Sequence, residues 1–345
     1  DYSKNMLNFK KLLINQKSST LDAIKVINSN NHRIGFVIDN KNKLLGSITD
    51  GDIRRAIIKK IDFKKNILSV CNKKPYFLYK DKLKNIKKFK NDNYIPIVDN
   101  KKKVINIKII KSKNNKVSSA LIMAGGKGKR LHPLTKYIPK PLIKIKGKTL
   151  IESLYSKLFI NEIKDISISV HHMHNKIQKH LKSVNKHLTH KNFILEKKPL
   201  GTGGAIRLFK SKDKNFFVIN CDVKLDLDFS KISNFHINQK ADMTVVSKQT
   251  INKLSFGRLN INSKFKVLSI EEKPELTNYI NTGIYILNKN VKNLIKRNQK
   301  IDMDEIIRHA LKKKMKVVTY PLYENWIDLG IRKNLEKYQK NKNSN

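Results

Sequence analysis

Between Leu121 and Leu142 the chain reads LIMAGGKGKRLHPLTKYIPKPL, where residue type and spacing both bear on chemistry. The run Leu121–Ala124 is short, apolar and bounded by glycine, the pattern of a buried strand. It opens onto Gly125, Gly126 and Gly128, where the missing Cβ lets the backbone turn and come close to a ligand. Successive N–H groups in such a loop can converge on phosphate oxygens, and Lys127, Lys129 and Arg130 add full positive charge. Pro139-Lys140-Pro141 then holds one lysine between two fixed φ angles, which predicts extended backbone at Ile138 and Lys140. Such a loop suits a polyphosphate. It is not a P-loop, because no Gly-Lys-Ser/Thr follows at the required spacing, and it is not the dinucleotide fingerprint G-x-G-x-x-G.

Other candidate residues are scattered and need the fold to gather them. Pro199-Leu200-Gly201-Thr202-Gly203-Gly204-Ala205 is a second glycine loop leading into a predicted helix. The predicted strand Phe216–Ile219 ends in Asn220-Cys221-Asp222, and an aspartate just past the carboxyl end of a parallel strand sits where ligands bind. Glu271-Glu272-Lys273-Pro274 follows a predicted strand at Val267–Ile270, with Asn281-Thr282-Gly283 soon after and Asp328 in Trp326–Gly330 near the end. His171, His172 and His174 invite a metal reading. Adjacent histidines on an extended chain point to opposite faces, so no metal site is expected there.

The elements that must position these residues fall into two halves. From Val117 onward, strand-like runs (Ile166–Val170, Phe216–Ile219, Met243–Ser247) alternate with helical ones (Leu150–Phe159, Lys176–Leu181, Gly204–Phe209), predicting an open, mainly parallel sheet covered by helices on both faces. Residues 1–110 form a separate small α+β domain. There Thr20 is the expected cap of a helix, strands Arg33–Ile38 and Leu44–Ile48 flank the turn Asp39–Asn42, and a second helix starts near Gly51. The pattern repeats from Lys80 to Ile110, with a helix near Asp81–Lys90 and strands Ile95–Val98 and Val104–Ile109, which suggests a pseudo-symmetric pair. Lys111–Lys116 is the expected linker, and the Lys/Asn-rich residues 339–345 read as a fraying tail.

The segment Gly125–Leu142, read as G-G-x-G-x-R-L-x-P-L-T-x-x-x-P-K-P-L, resembles the signature of the sugar-1-phosphate nucleotidyltransferases. The resemblance spans about Val117 to Tyr338 and implies a Rossmann-like nucleotidyltransferase domain. It implies that Ala124, Gly125, Gly126, Gly128 and Leu200–Gly203 (Leu200, Gly201, Thr202, Gly203) contact the nucleotide, and that Arg130 holds the pyrophosphate leaving group. Lys140 is then placed on the α-phosphate and Lys273 on the sugar phosphate. Asp222 and Asp328 are the implied Mg²⁺ ligands, although relatives usually have glycine where this chain has Cys221. Mg²⁺ takes one or two carboxylates with phosphate oxygens and water. Glu272, Asn281, Thr282 and Gly283 are the implied sugar contacts. No hexapeptide repeats follow Tyr338, so the β-helix that ends some relatives is not expected.

In the first half, Gly46-Ser-Ile-Thr-Asp-Gly-Asp-Ile-Arg-Arg55 resembles the hallmark of CBS domains, which act in tandem as adenosyl-ligand sensors. Thr49 and Asp52 match the residues that bond ribose and phosphate in that family. The second repeat has no Thr-x-x-Asp after Asn106, so a dimerisation role stands beside ligand binding. A CBS pair placed before this domain resembles the glucosamine-1-phosphate guanylyltransferases of legionaminic acid biosynthesis. Pro-Leu-Gly-Thr-Gly-Gly-Ala also resembles heptose 1-phosphate guanylyltransferases. The expected reaction is NTP, leaning to GTP, plus a sugar 1-phosphate, leaning to glucosamine 1-phosphate, giving NDP-sugar and pyrophosphate. Thymidylyl, uridylyl or mannose 1-phosphate specificities are alternatives, as is a non-catalytic sensor on the same scaffold.

Composition bounds the rest. The chain has 345 residues, a net charge of +47 and a pI near 10.1. The lysines are dispersed and accompany Asn and Ile, the three residues that AT-rich codons favour, so a basic exterior attracting phosphorylated substrates is expected rather than a nucleic-acid partner. Two distant cysteines, Cys71 and Cys221, fit a reducing compartment. No apolar run approaches a membrane span and no signal-peptide core is present, so a cytoplasmic protein with no membrane partner is expected; a homo-oligomer is expected as well. The chain begins at Asp1 rather than Met, so a few residues are expected to precede it.

Overall fold

The computed structural model describes residues 9–30, 34–82, 93–110, 117–185, 188–225, 227–322 and 324–340. The chain divides into two compact units, residues 1–115 and 116–345. The expected linker 111–116, most of the expected helix 81–90 and the final residues 341–345 lie outside the described residues.

The first unit is a doubled motif. Strand Leu13–Asn15 runs parallel to Ile34–Ile38, which hairpins antiparallel onto Leu44–Thr49. Leu78–Tyr79, Asn93–Val98 and Val104–Ile110 repeat that arrangement. The two hairpin turns share their chemistry. Oδ1 of Asp39 accepts from the N–H groups of Lys41 and Lys43, and Oδ1 of Asp99 does the same for Lys101 and Lys103. The repeats join where Leu44 N–H donates to Lys102 O at 2.9 Å and Val104 N–H donates to Asn42 O at 3.0 Å. Phe36, Leu44, Val98 and Val104 pack in one shared core. Helix Thr20–Ser29 is capped by Ser19, not Thr20: Ser19 Oγ accepts from Asp22 N–H, and Thr20 is already the first helical residue.

The second unit is α/β with a parallel-rich sheet, as the sequence pattern predicts. Its strands are β1 (Ser119–Met123), β2 (Asp165–Val170), β3 (Phe193–Leu195), β4 (Asn215–Asn220), β5 (Met243–Lys253), β6 (Glu275–Asn288) and β7 (Val317–Leu322), in the order β3-β2-β1-β4-β6-β5-β7. Only β6 runs against its neighbours; the other pairings are parallel. Helices α1 (Leu150–Ile160), α2 (His174–Val184) and α3 (Phe229–Gln239) cover one face, and α4 (Met303–Lys312) covers the other. Strand β1 shows why the sheet is buried on both sides: Ala120 and Ile122 pack with Ile151, Leu154 and Phe229, while Leu121 and Met123 pack with Ile206, Phe209 and Ile306. Side chains alternate faces along a strand, so a continuous apolar run serves two cores.

Two local expectations change. Gly204–Arg207 forms a short 3₁₀ turn rather than a helix to Phe209. Lys140 opens a 3₁₀ turn, Lys140–Leu142, instead of staying extended. The residue before proline is steered away from helical backbone but not barred from it, and Leu142 N–H to Pro139 O (2.8 Å) with Ile143 N–H to Lys140 O (3.2 Å) closes the turn. Among the described residues no helix is long and apolar enough to cross a membrane.

Candidate active site

Strand order reverses direction between β1 and β4, and a crevice at the carboxyl ends of such neighbours is where open α/β sheets bind ligands. Here β1 runs into the glycine loop at Ala124 and β4 runs into Asn220-Cys221-Asp222, with Cys221 N–H donating to Met123 O at 3.2 Å. A cavity of about 420 Å³ opens at that point. Ala124, Gly125, Gly126, Gly128, Arg130, Lys140, Leu200, Gly201, Thr202 and Asp222 all line it.

The charged centre is built from four side chains. Asp328 comes from a distant segment through a small ladder: Val223–Leu225 pairs antiparallel with Trp326–Asp328, setting Val223 opposite Asp328. Leu329 N–H donates to Asp222 O at 3.0 Å, closing the junction. Lys140 Nζ forms an ion pair with Asp222 Oδ2, both side chains nearly buried. Arg130 reaches Asp328 from the solvent side, Nη1 to Oδ2 at 3.6 Å. Burial, and then the negative charge of Asp222, raises the Asp328 carboxyl above the ordinary aspartate range.

Gly330 has to be glycine here. A Cβ at that position would collide with Asp222 Oδ2 and lie 2.5 Å from Lys140 Nζ and 2.8 Å from Asp328 Oδ1. Two hard carboxylates converging on one small space, with a charge repulsion that a cation relieves, fit Mg²⁺. Cys221, which also lines the cavity, is buried, and burial pushes its thiol up to about 12.

The second glycine loop is fastened from below. Asp302 Oδ1 accepts from Thr202 N–H (2.8 Å) and from Thr202 Oγ1 (3.0 Å), and Met303 N–H donates to Thr202 Oγ1 at 2.9 Å. Gly201 has φ +77, and a Cβ there would lie 2.6 Å from Ile301 O. Gly203 is needed for packing against Ile306 rather than for lining the cavity.

The predicted sugar residues are not among those that line this cavity. Glu272 and Lys273 follow an exposed hairpin, Arg258–Ile261 with Val267–Glu271; their side chains are 69% and 68% exposed and 3.9 Å apart. Thr282 is buried and its hydroxyl donates to Val246 O at 2.7 Å. Asn281 Nδ2 donates to the Tyr285 hydroxyl at 2.7 Å, and Asn281 Oδ1 accepts from Gly283 N–H at 3.0 Å. Gly283 connects this segment to the cavity: with φ +78 it lets the Asn220 side chain press against its backbone, and Asn220 lines the cavity.

Sequence reasoning missed Glu196. It is buried, lines the cavity, accepts from Leu200 N–H at 2.9 Å and from Ser169 Oγ, and sits under Gly125, whose Cβ would lie 2.8 Å from Glu196 Oε1. The signal was available, since Glu196 directly follows the parallel strand β3, as Asp222 follows β4. His171 also lines the cavity, its Nδ1 2.9 Å from Glu196 O.

In the first unit, Thr49 and Asp52 are joined to each other. Asp52 Oδ2 accepts from Thr49 N–H (2.8 Å) and Thr49 Oγ1 (2.7 Å), while Asp52 Oδ1 accepts from Arg55 Nη2 (2.6 Å). This is the start of helix Asp50–Ile58, where a carboxylate also meets the positive end of the helix.

Residues 119–345 match the family model described as "Nucleotidyl transferase", and residues 11–59 match that of the CBS domain. The chain is 32% identical to a mannose-1-phosphate guanyltransferase of Yarrowia lipolytica, over 61% of this chain and 60% of that protein. It is 31% identical to the D-glycero-alpha-D-manno-heptose 1-phosphate guanylyltransferase of Campylobacter jejuni, over 61% of this chain and 94% of that one. The crystal structure of HddC from Yersinia pseudotuberculosis superimposes with a TM-score of 0.51 at 28% identity, covering 65% of this chain and 99% of HddC. A second HddC structure, complexed with GMP-PN, gives 0.50. The chain thus spans about 60% of the length of the Yarrowia relative and nearly all of the Campylobacter one. On the match from 119 to 345, the chain belongs to the nucleotidyl transferase family, with a CBS domain in its first unit.

Proposed function

We propose that the protein transfers a guanylyl group from GTP to a sugar 1-phosphate and releases pyrophosphate, with glucosamine 1-phosphate as the sugar to test first. The observation that carries this reading is the convergence of Arg130, Lys140, Asp222 and Asp328 at the reversal point of the sheet, beside a glycine loop. A phosphate oxygen of the sugar phosphate attacks the α-phosphorus, and the bond from that phosphorus to the β-phosphate oxygen breaks. The nucleophile is already an anion, so positioning and charge neutralisation carry the rate. Asp222 and Asp328 would hold Mg²⁺, which supplies Lewis-acid charge when bound. Lys140 neutralises the α-phosphate, and Arg130 offers its planar fork to the departing pyrophosphate. Lys273 and Glu272, on their exposed segment, serve the sugar phosphate and sugar hydroxyls once the substrate reaches them.

The guanine preference is supported by Glu196. A carboxylate accepts hydrogen bonds only, and each oxygen here has spare capacity beyond its single protein donor. Guanine presents N–H donors at its pairing edge, which such a group meets. The names of the Yarrowia and Campylobacter relatives, both guanylyl transferases, point the same way. The test is pyrophosphate release with Mg²⁺ over GTP, ATP, UTP, CTP and dTTP against glucosamine, mannose, glucose and heptose 1-phosphates. GTP-dependent release is expected. No release with any pair would leave the scaffold as a nucleotide sensor, and release led by dTTP or UTP would overturn the base assignment.

A further inference from the structure

We propose that a second cavity of about 400 Å³, lined by Lys127, Lys129, His132, Thr135, Lys136 and His172, is a pyrophosphate subsite through which the leaving group departs and re-enters. The proposal rests on the transfer reaction above. No carboxylate lines this cavity; every lining side chain is basic or a hydroxyl. In a chain with 74 lysines and arginines, lysine alone says little. What distinguishes this place is continuity: Lys127 and Lys129 line both this cavity and the nucleotide cavity. An anion released beside Arg130 therefore meets two lysines that already face the second space.

The wall between the cavities is fixed. Thr135 is buried and its hydroxyl donates to Gly128 O at 2.9 Å, tying the segment that carries His132 and Lys136 to the glycine loop. Gly128 itself has φ +66, with Thr135 Cγ2 and Lys140 Cβ each 3.0 Å from where its Cβ would stand. His172 N–H donates to Gly125 O at 3.4 Å, so the opposite wall is tied to the same loop. The cations themselves are exposed: Lys127, Lys129, His132 and Lys136 all face solvent. Lysine ammoniums are mobile, hydrated point charges, suited to an anion in transit rather than to one locked in register. In the reverse reaction a pyrophosphate oxygen attacks the α-phosphorus of the nucleotide sugar and the bond to the sugar phosphate oxygen breaks, so the same anion must enter by a basic path.

The test compares the full-length wild type with Lys136→Glu, with the double variant His132→Ala/Lys136→Ala, and with Lys312→Glu as a control of equal charge change on α4. In pyrophosphorolysis, KM for pyrophosphate should rise about tenfold in Lys136→Glu, the size expected for reversing one nearby charge. The forward KM for GTP should stay within about twofold, and Lys312→Glu should resemble wild type. Calorimetric titration of pyrophosphate into each protein, which needs no turnover, should show the same weakening. An unchanged pyrophosphate KM and affinity, a GTP KM rising in parallel, or an equal effect from Lys312→Glu would each overturn the subsite. A wild type that binds pyrophosphate through Lys136 yet forms no nucleotide sugar would overturn the transfer reading and leave the subsite standing.

Discussion

The ammonium of Lys140 is paired directly with the carboxylate of Asp222, two residues 82 positions apart that meet because one follows the glycine loop and the other lies just past the end of β4. Asp328 approaches the same place, held by its ladder with Val223 and by Gly330 N–H donating to Asp328 Oδ1 at 2.7 Å. One lysine and a more distant arginine face two carboxylates. The four formal charges cancel, and the phosphates of a bound nucleotide would bring the negative charge that a further cation offsets.

Asp222→Asn should therefore abolish Mg²⁺-dependent turnover, a loss of at least about 10²-fold, because a neutral amide keeps the shape but is a poor ligand and leaves Lys140 without its counter-charge. Asp328→Asn should do likewise. Circular dichroism should show both folded. A variant whose rate still rises along the wild-type Mg²⁺ curve identifies a residue that is not a ligand.

Arg130→Ala tests the leaving-group assignment. The guanidinium is 67% exposed, and without it Asp328 keeps the Gly330 N–H and the nearby charge of Lys140, so the fold should be unaffected. The rate constant kcat should fall by about 10²–10³, the usual cost of losing one preorganised charge. KM for the sugar phosphate should barely move. Near-normal kcat would remove Arg130 from the chemistry.

How much of this was legible in sequence depended on the distance over which each residue acts. The glycine loop and Asp222 could be found locally, because a loop at the end of a buried strand is a positional rule. Asp328 could be named only through family resemblance, since the ladder joining Trp326–Asp328 to Val223–Leu225 pairs two short strands with no periodicity of their own. Glu196 is followed by Lys197 and Lys198, and an acid beside two lysines carries the local pattern of an exposed segment. The structure buries it, with Ser169 and Leu200 N–H as partners. At Lys140 the proline rule gave the wrong backbone, because hydrogen bonds from Leu142 and Ile143 outweigh a modest steric bias.

Glu196→Gln should lower kcat/KM for GTP by about tenfold, the scale of one charge-assisted hydrogen bond. Values for UTP and dTTP should change much less, narrowing the preference for guanine. A parallel drop for all nucleotides would show that Glu196 only supports Gly125 and Leu200 and does not read the base.

In the first unit Thr49 N–H and Oγ1 both donate to Asp52 Oδ2, and we propose that this pair also meets the ribose of an adenosyl ligand. AMP cannot donate a nucleotidyl group, and in calorimetry on the full chain the change on Thr49→Val separates binding in this unit from binding at the nucleotide cavity. AMP binding is expected, weakened about tenfold by Thr49→Val, which removes one hydroxyl bond and leaves Asp52 bonded to Thr49 N–H. An AMP-induced change in kcat would require the ligand to prefer one of two conformations. No heat and no thermal shift with AMP would leave the unit as a dimerisation module.

His236 supplies a pH dependence in the core of the second unit. It lies on α3, buried, with Nδ1 2.8 Å from Thr244 Oγ1, and desolvation lowers its pKa to about 4 despite the opposing pull of Asp242. In the unfolded chain the same group titrates near 6.5. The unfolded state therefore binds the extra proton first as pH falls, and stability present above pH 6.5 drains away toward pH 4, by about 3 kcal/mol. The chain has one tryptophan, Trp326, which belongs to this unit, so its fluorescence follows the unit's unfolding in urea. Between pH 7 and pH 4.5 the wild type should lose stability more steeply than His236→Gln, which keeps a polar partner for Thr244 without a titrating group. Parallel slopes for the two proteins would show that His236 is protonated as readily in the fold as outside it.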